Sequence, residues 1–235
     1  MSKRQDAIIF DGDDTLWQNQ IFYEQAKEQF YKLMENQGFD RKAVTSKLSE
    51  IDVSNVQRFG FSRRRFPESL KETYEYFCRN QGRPVDPAIL KQVYRIGNSV
   101  FHRKPVLMDG AQQVLEQLSK EYRLYLYTSG DPYIQRRKLK YLKLAKYFEA
   151  IYIRERKNEA ELQDILHEQN LDPKKTWMIG NSLRSDINPA LKLGLKCIWV
   201  RSSCWEYDTE LPITSDILQV NSLQELPKII KGIQS

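Results

Sequence analysis

Residues 7–10, Ala-Ile-Ile-Phe, form a continuous apolar run that stops abruptly at Asp11-Gly12-Asp13-Asp14. A short run without polar alternation suits a strand buried on both faces, as in a parallel sheet. Four further runs resemble it: Arg123 to Thr128, Ala150 to Ile153, Thr176 to Ile179 and Lys196 to Val200. Helical patterns separate the runs from Arg123 onward. Asp109 is placed to cap a helix over Gln112 to Leu118, and Pro132 to open a basic helix ending near Tyr147. Asn158 and Glu161 have capping-box spacing ahead of Leu162, and Pro189 opens a short helix that stops at Gly194. Strands alternating with helices predict an α/β fold, a doubly wound parallel sheet of Rossmann-like type.

Between Trp17 and about Lys104 the pattern changes. Apolar residues recur at helical spacing in Phe22 to Met34, Val44 to Ile51, Leu70 to Phe77 and Ile89 to Val100, with no comparable strand. Gly38, Gly60, Pro67, Gly82 and Pro84 punctuate these stretches. The expected organisation is a core of residues 1–17 plus 105–235, with residues 18–104 inserted as an α-helical domain.

Composition excludes several classes. With 40% hydrophobic and 11% aromatic residues the chain reads as globular. Cys78, Cys197 and Cys204 have no CxxC spacing, so neither a zinc site nor a disulfide framework is suggested. His102 and His167 lie far apart and read as surface or packing residues. The polar opening Met1 to Asp6 does not read as a secretory signal, and no apolar stretch spans a membrane. A cytoplasmic, reducing setting is the expectation. The net charge of +6 favours anionic small molecules over nucleic acid as partners. The Arg136 to Lys146 stretch, with Leu139, Leu142 and Leu144 among its charges, reads as an amphipathic helix with a wet face.

The chemistry concentrates at the ends of the predicted strands. Asp11, Asp13 and Asp14 put three carboxylates in four residues, a repulsion that a divalent cation such as Mg²⁺ would offset. The second strand ends in Thr128-Ser129-Gly130, suited to holding phosphate by hydroxyl and backbone N–H groups. Lys157 follows the third strand as a point charge for phosphate, and Gly180-Asn181-Ser182 with Asp186 follows the fourth as a second acidic locus. In an open parallel sheet these strand ends share one crevice.

With these pieces in that order, the chain resembles the haloacid dehalogenase superfamily. The match lies in Asp-x-Asp-x-Thr at Asp11 to Thr15, in Thr128, in Lys157 and in Gly-x-Ser-x-x-x-Asp at Gly180 to Asp186. The insert is similar in position to that family's helical cap. The resemblance implies that Asp11 attacks phosphorus to form an aspartyl-phosphate and that Asp13 serves as general acid and base. It assigns Mg²⁺ to Asp11, the Asp13 backbone carbonyl and Asp186, and the transferring oxygens to Lys157, Thr128 and Ser129. An aspartate at position 13 points to a phosphatase and away from a dehalogenase. Two residues depart from the pattern: Asp14 stands where glycine is frequent, and Asn181 where an aspartate is common.

The expected function is Mg²⁺-dependent hydrolysis of a small phosphomonoester, of the sugar phosphate or nucleotide class. A phosphomutase would share every core residue, and a non-catalytic phospholigand-binding protein is the alternative of another class. Within the insert, Arg58 to Arg63 offers guanidiniums, aromatics and a glycine in a loop between helices, with Arg58 a candidate leaving-group contact. Trp17 and Asn19 either line the cleft entrance or pack.

Overall fold

The computed structural model describes residues 6–203, 205, 207 and 210–234. The chain divides into two compact units, residues 1–20 with 105–235 and residues 21–104.

The first unit is built on a six-stranded, wholly parallel sheet of order β3-β2-β1-β4-β5-β6. Its strands are β1 (Ala7–Phe10), β2 (Arg123–Ser129), β3 (Ala150–Arg154), β4 (Thr176–Gly180), β5 (Lys196–Val200) and β6 (Leu218–Val220). Consecutive side chains of β1 serve opposite faces. Ile8 and Phe10 pack with Val114, Leu115, Leu139 and Ile230, whereas Ala7 and Ile9 pack with Leu162, Ile165, Ile187 and Ala190. Helices α5 (Ala111–Leu118), α6 (Pro132–Leu142) and α9 (Leu226–Gln234) therefore cover one face, and α7 (Glu159–Glu168) and α8 (Asn188–Lys192) the other. This double cover is why β1 tolerates no polar residue before Asp11. The sheet order reverses at β1, which places the ends of β2, β1 and β4 side by side at the crevice.

The second unit packs α1 (Gln20–Asn36), α2 (Arg41–Phe59), α3 (Arg65–Asn80) and α4 (Pro87–Ser99) around Phe30, Met34, Leu48, Phe66, Leu70 and Val93. Asp40 caps α2 by accepting from the Ala43 N–H at 2.8 Å, and Asp86 caps α4 from Ala88 at 2.7 Å. The ion pair Arg65–Asp52 is buried between α2 and α3.

Several expectations need correction. The cap of α5 is Gly110, at φ 75°, and Asp109 accepts from Gln224 instead. Helix α6 stops at Leu142 because Lys143 turns left-handed at φ 57°, and only a short 3₁₀ turn, Ala145–Tyr147, follows. Asn158 caps α7, but the Glu161 carboxylate pairs with Arg154 and does not complete a capping box. Helix α2 runs through Phe59, so Arg58 ends a helix and only Gly60 onward is turn. One wide π-helical turn, Leu183–Ile187, and strand β6 had no distinct sequence signal. Cys78 and Cys197 are buried free thiols, and Cys204 lies outside the described residues. Both histidines are exposed. No helix among the described residues is long and apolar enough to cross a membrane.

Candidate active site

The ends of β1, β2 and β4 and the segment after β3 bring together six of the seven expected site residues. Asp11, directly after β1, is 4% exposed, and its N–H donates to Ile179 of β4 at 2.9 Å. Lys157 inserts its ammonium between two carboxylates, donating to Asp11 Oδ1 and Asp186 Oδ1. All three side chains are nearly inaccessible, Asp186 completely so. Lys157 also lies over the Tyr127 ring, 5.5 Å from its centroid, and donates to the Tyr127 carbonyl at 3.4 Å.

Asp186 is reached through a close-packed turn. Its Oδ2 accepts from the Ser182 N–H at 3.0 Å. A Cβ on Gly180 would stand 2.3 Å from that same oxygen, so only glycine lets the carboxylate lie against the end of β4. Gly12 plays a similar part after β1, where a Cβ would stand 2.4 Å from the Trp17 ring and 3.0 Å from Thr128 Oγ1.

The site gathers four carboxylates whose mutual repulsion and burial raise the cost of ionising them. Burial pushes the Asp11 carboxyl up to about 7; the Lys157 charge opposes this, while Asp186 and Asp13 add to it. Asp14 is also pushed up to about 7, by burial and then by Asp13. The Lys157 ammonium is held firmly protonated by its two carboxylates against the effect of burial. With every group ionised, the carboxylates of Asp11, Asp13, Asp14 and Asp186 face the ammoniums of Lys157 and Lys138, which leaves two negative charges.

That balance fits a divalent cation. Asp11 Oδ2 is buried without a hydrogen-bond partner. Among the described residues, no three His, Cys, Asp or Glu side chains form a metal-ligating cluster. Mg²⁺ is nevertheless commonly bound by one or two carboxylates, since it keeps several waters, and Asp11 and Asp186 can supply two.

The Asp13 side chain is held elsewhere than on Lys157. Oδ1 accepts from Trp17 Nε1 and from Lys138 Nζ, the latter at 2.6 Å, and Oδ2 accepts from Gln135 Nε2 at 3.0 Å. Trp17 is therefore a fully buried packing residue with a polar handle in the site. Gln135 Nε2 also donates to Thr128 Oγ1 at 3.2 Å and to the Ser129 carbonyl at 2.7 Å, so it joins the ends of β1 and β2. Gln135 and Lys138 were not singled out from the sequence. The wet-face reading of residues 136–146 hid Lys138, which is 9% exposed. The available signal was their spacing, three residues apart at the start of the helix that follows Thr128-Ser129-Gly130.

The two departures have distinct local roles. Asp14 adopts φ 59°, and its Oδ1 accepts from the Asn19 and Gln20 N–H groups at 2.8 and 2.9 Å, capping the start of α1. Asn181 Oδ1 accepts from the Thr15 hydroxyl at 3.4 Å, and its carbonyl from Trp199 Nε1 at 2.8 Å. Arg58 belongs to the second unit, where it donates to Glu72 at 2.7 Å and to Asn55 at 2.8 Å.

Comparison with known proteins sets this geometry among relatives. Residues 8–200 match the model of a family described as haloacid dehalogenase-like hydrolase. N-acylneuraminate-9-phosphatase of Mus musculus is 30% identical over 175 residues, which cover 71% of this chain and 66% of that protein. The chain thus spans just under two thirds of that relative's length. Glyceraldehyde 3-phosphate phosphatase of Pyrococcus abyssi is 27% identical over 236 residues, covering 96% of this chain and 94% of that one. Among solved structures, a haloacid dehalogenase-like family hydrolase from Xanthomonas campestris superposes with a TM-score of 0.78 at 21% identity. The alignment covers 97% of this chain and 96% of that one, a likeness of fold.

Proposed function

The chain belongs to the haloacid dehalogenase-like hydrolase family, and from that premise we propose that it is a Mg²⁺-dependent phosphatase of small phosphomonoesters that works through a phosphoryl group carried on Asp11. The observation that carries the reading is the Asp11 carboxylate. It is buried at a strand end, with one oxygen held by Lys157 and the other without a partner. A held and desolvated carboxylate with one oxygen open is a nucleophile oriented for attack. The phosphatases named above act on small phosphorylated metabolites, which supports the substrate class.

In this reading the Asp11 carboxylate attacks phosphorus while the ester P–O bond breaks. Asp13 gives its proton to the departing oxygen, a contribution typically worth about 10²–10⁴-fold. Water then attacks the phosphorus of the aspartyl-phosphate. Asp13 takes the water's proton as the bond from phosphorus to Asp11 breaks, which restores both carboxyl groups. Lys157, Thr128 and Ser129 hold phosphoryl oxygens, and Lys157 keeps Asp11 oriented throughout. Asp11, Asp186 and the Asp13 carbonyl would hold Mg²⁺, which would supply positive charge to offset the repulsion between carboxylate and phosphate. Residues 18–104 are the part of the chain to which we assign the choice of leaving group. Cytosol is the expected setting, in keeping with two buried free thiols.

The test is phosphate release over a panel of phosphorylated metabolites, with and without Mg²⁺, and with Asp11→Asn as the blank. Release that needs both Mg²⁺ and Asp11 is expected. Equal rates for wild type and Asp11→Asn would overturn the nucleophile assignment, and phosphate retained on the sugar would favour a mutase.

A further inference from the structure

We propose that Gln135 and Lys138 of α6 are positioning residues that fix the Asp13 carboxyl group, which carries the proton in the first step, for its transfer to the leaving group, a proposal that rests on the acid–base role given to Asp13 above. Asp13 itself is only partly enclosed, with its side chain 25% exposed. Nothing in its own turn orients it except Trp17 Nε1. The remaining two donors both come from α6, one on each carboxylate oxygen. Each is tied to a further anchor. Gln135 is fixed by Thr128 and the Ser129 carbonyl, and Lys138 by Asn19 Oδ1 at 2.9 Å.

The orientation of the Gln135 amide is set by chemistry. Turning it over would place Oε1 against the Ser129 carbonyl and the Asp13 carboxylate, both of which are acceptors. The orientation that satisfies them leaves Oε1 buried without a partner. A buried acceptor left unpaired is a cost in stability. The buried residues of α6 are Ile134, Gln135, Lys138 and Leu139. A stripe selected for stability alone would be apolar at all four, as it is at Ile134 and Leu139. The two polar members are the two that touch Asp13. Their contribution is to the geometry of the acid, where a misplacement of about 1 Å costs roughly 100-fold in rate.

Leaving-group chemistry separates positioning from mere support. A nitrophenolate departs without a proton, whereas an alkoxide needs one. The ratio kcat/KM reports steps up to formation of the phosphoenzyme. The experiment measures kcat/KM for p-nitrophenyl phosphate and for glycerol phosphate in the Mg²⁺-loaded full chain. Wild type, Gln135→Leu, Lys138→Met, Lys138→Arg and Asp13→Asn are compared.

Gln135→Leu and Lys138→Met are expected to lose about 10–100-fold on glycerol phosphate and less than about 3-fold on the aryl ester. Lys138→Arg, which keeps the charge and a donor, is expected to recover part of the alkyl rate. If Gln135→Leu does not fold, Lys138→Met and Lys138→Arg carry the test. Equal losses on both substrates, or no loss on either, would overturn the positioning role. If Asp13→Asn itself shows no difference between the two esters, the acid–base reading fails and this proposal with it. A difference in Asp13→Asn without one in the α6 variants refutes the positioning role alone.

Discussion

Lys157→Met removes the cation shared by two buried carboxylates, and its effect on stability has a defined pH signature. In the native protein Asp11 titrates at about 7, against 3.8 for an ordinary aspartate. Between those values the folded chain holds a proton that the unfolded chain has lost. Stability from this group is complete below about pH 4, falls by about 1.4 kcal/mol per pH unit above it, and levels off near pH 7. The Lys157 charge is what opposes the rise in Asp11. Without it Asp11 is pushed up further and stays protonated above pH 7, so the decline continues in the variant after it has stopped in the wild type. Loss of the Asp186 partner adds a further cost of about 3–5 kcal/mol. The difference between variant and wild type is therefore expected to widen by about 1.4 kcal/mol for each pH unit above 7. Asp14 titrates in the same range but is present in both proteins, so it largely cancels. The assay is urea unfolding in metal-free buffer from about pH 6 to 9. Trp17, Trp177, Trp199 and Trp205, the four tryptophans of the chain, all lie in the unit that carries the site, so their fluorescence reports on it alone. A gap that stays constant from pH 7 to 9 would refute the claim that Lys157 and Asp11 share one proton balance.

Three further outcomes are expected. Gly180→Ala forces Asp186 away from the strand end, because the new methyl would stand 2.3 Å from Oδ2. Mg²⁺ binding measured by calorimetry should weaken at least about 10-fold, the low end for perturbed ligand support; unchanged affinity would show that Asp186 is not a ligand. Asn181→Asp adds an anion near the metal locus, and Mg²⁺ affinity is expected to rise, with a fall showing that its bond to Thr15 matters more. In the helical unit, Asp52→Leu removes the buried carboxylate that pairs with Arg65, whose side chain is 7% exposed. It should destabilise that unit by about 3–5 kcal/mol by circular dichroism, while the double variant Asp52→Leu with Arg65→Met recovers most of the loss.

Strand cores and strand-end chemistry were legible in the sequence because each has a local signature. Ala7 to Phe10 is apolar on both faces since helices cover both faces, and the acids begin where that cover ends. Asp11, Thr128, Lys157 and Asp186 sit at or after the ends of consecutive strands, so their order alone predicts convergence. The misses have physical reasons too. Lys138 reads as a wet residue because a single chain does not reveal which carboxylate a lysine will meet; here Asp13, 125 positions away, draws it in. Asp109 has a good cap's side chain, but the left-handed Gly110 moved the helix start by one residue. Strand β6 is three residues long with two of them exposed, so it carries no apolar run to recognise. The wide turn at Leu183–Ile187 is closed by short-range polar bonds, Ser182 N–H to Asp186 Oδ2 and Ser185 N–H to Ser182 Oγ, which leave no hydrophobic period from which its width could be read.

The central claim is that phosphorus becomes bonded to Asp11, and the most direct measurement uses Asp13→Asn with radiolabelled p-nitrophenyl phosphate and Mg²⁺. The aryl group leaves without a proton, but the second step lacks its base, so the intermediate should accumulate. Acid quenching and peptide mapping are expected to find label approaching one equivalent on the peptide that carries Asp11, and none when Asp11→Asn is added. Nitrophenol released in steady turnover with no protein-bound label, or with label on another residue, would contradict the account.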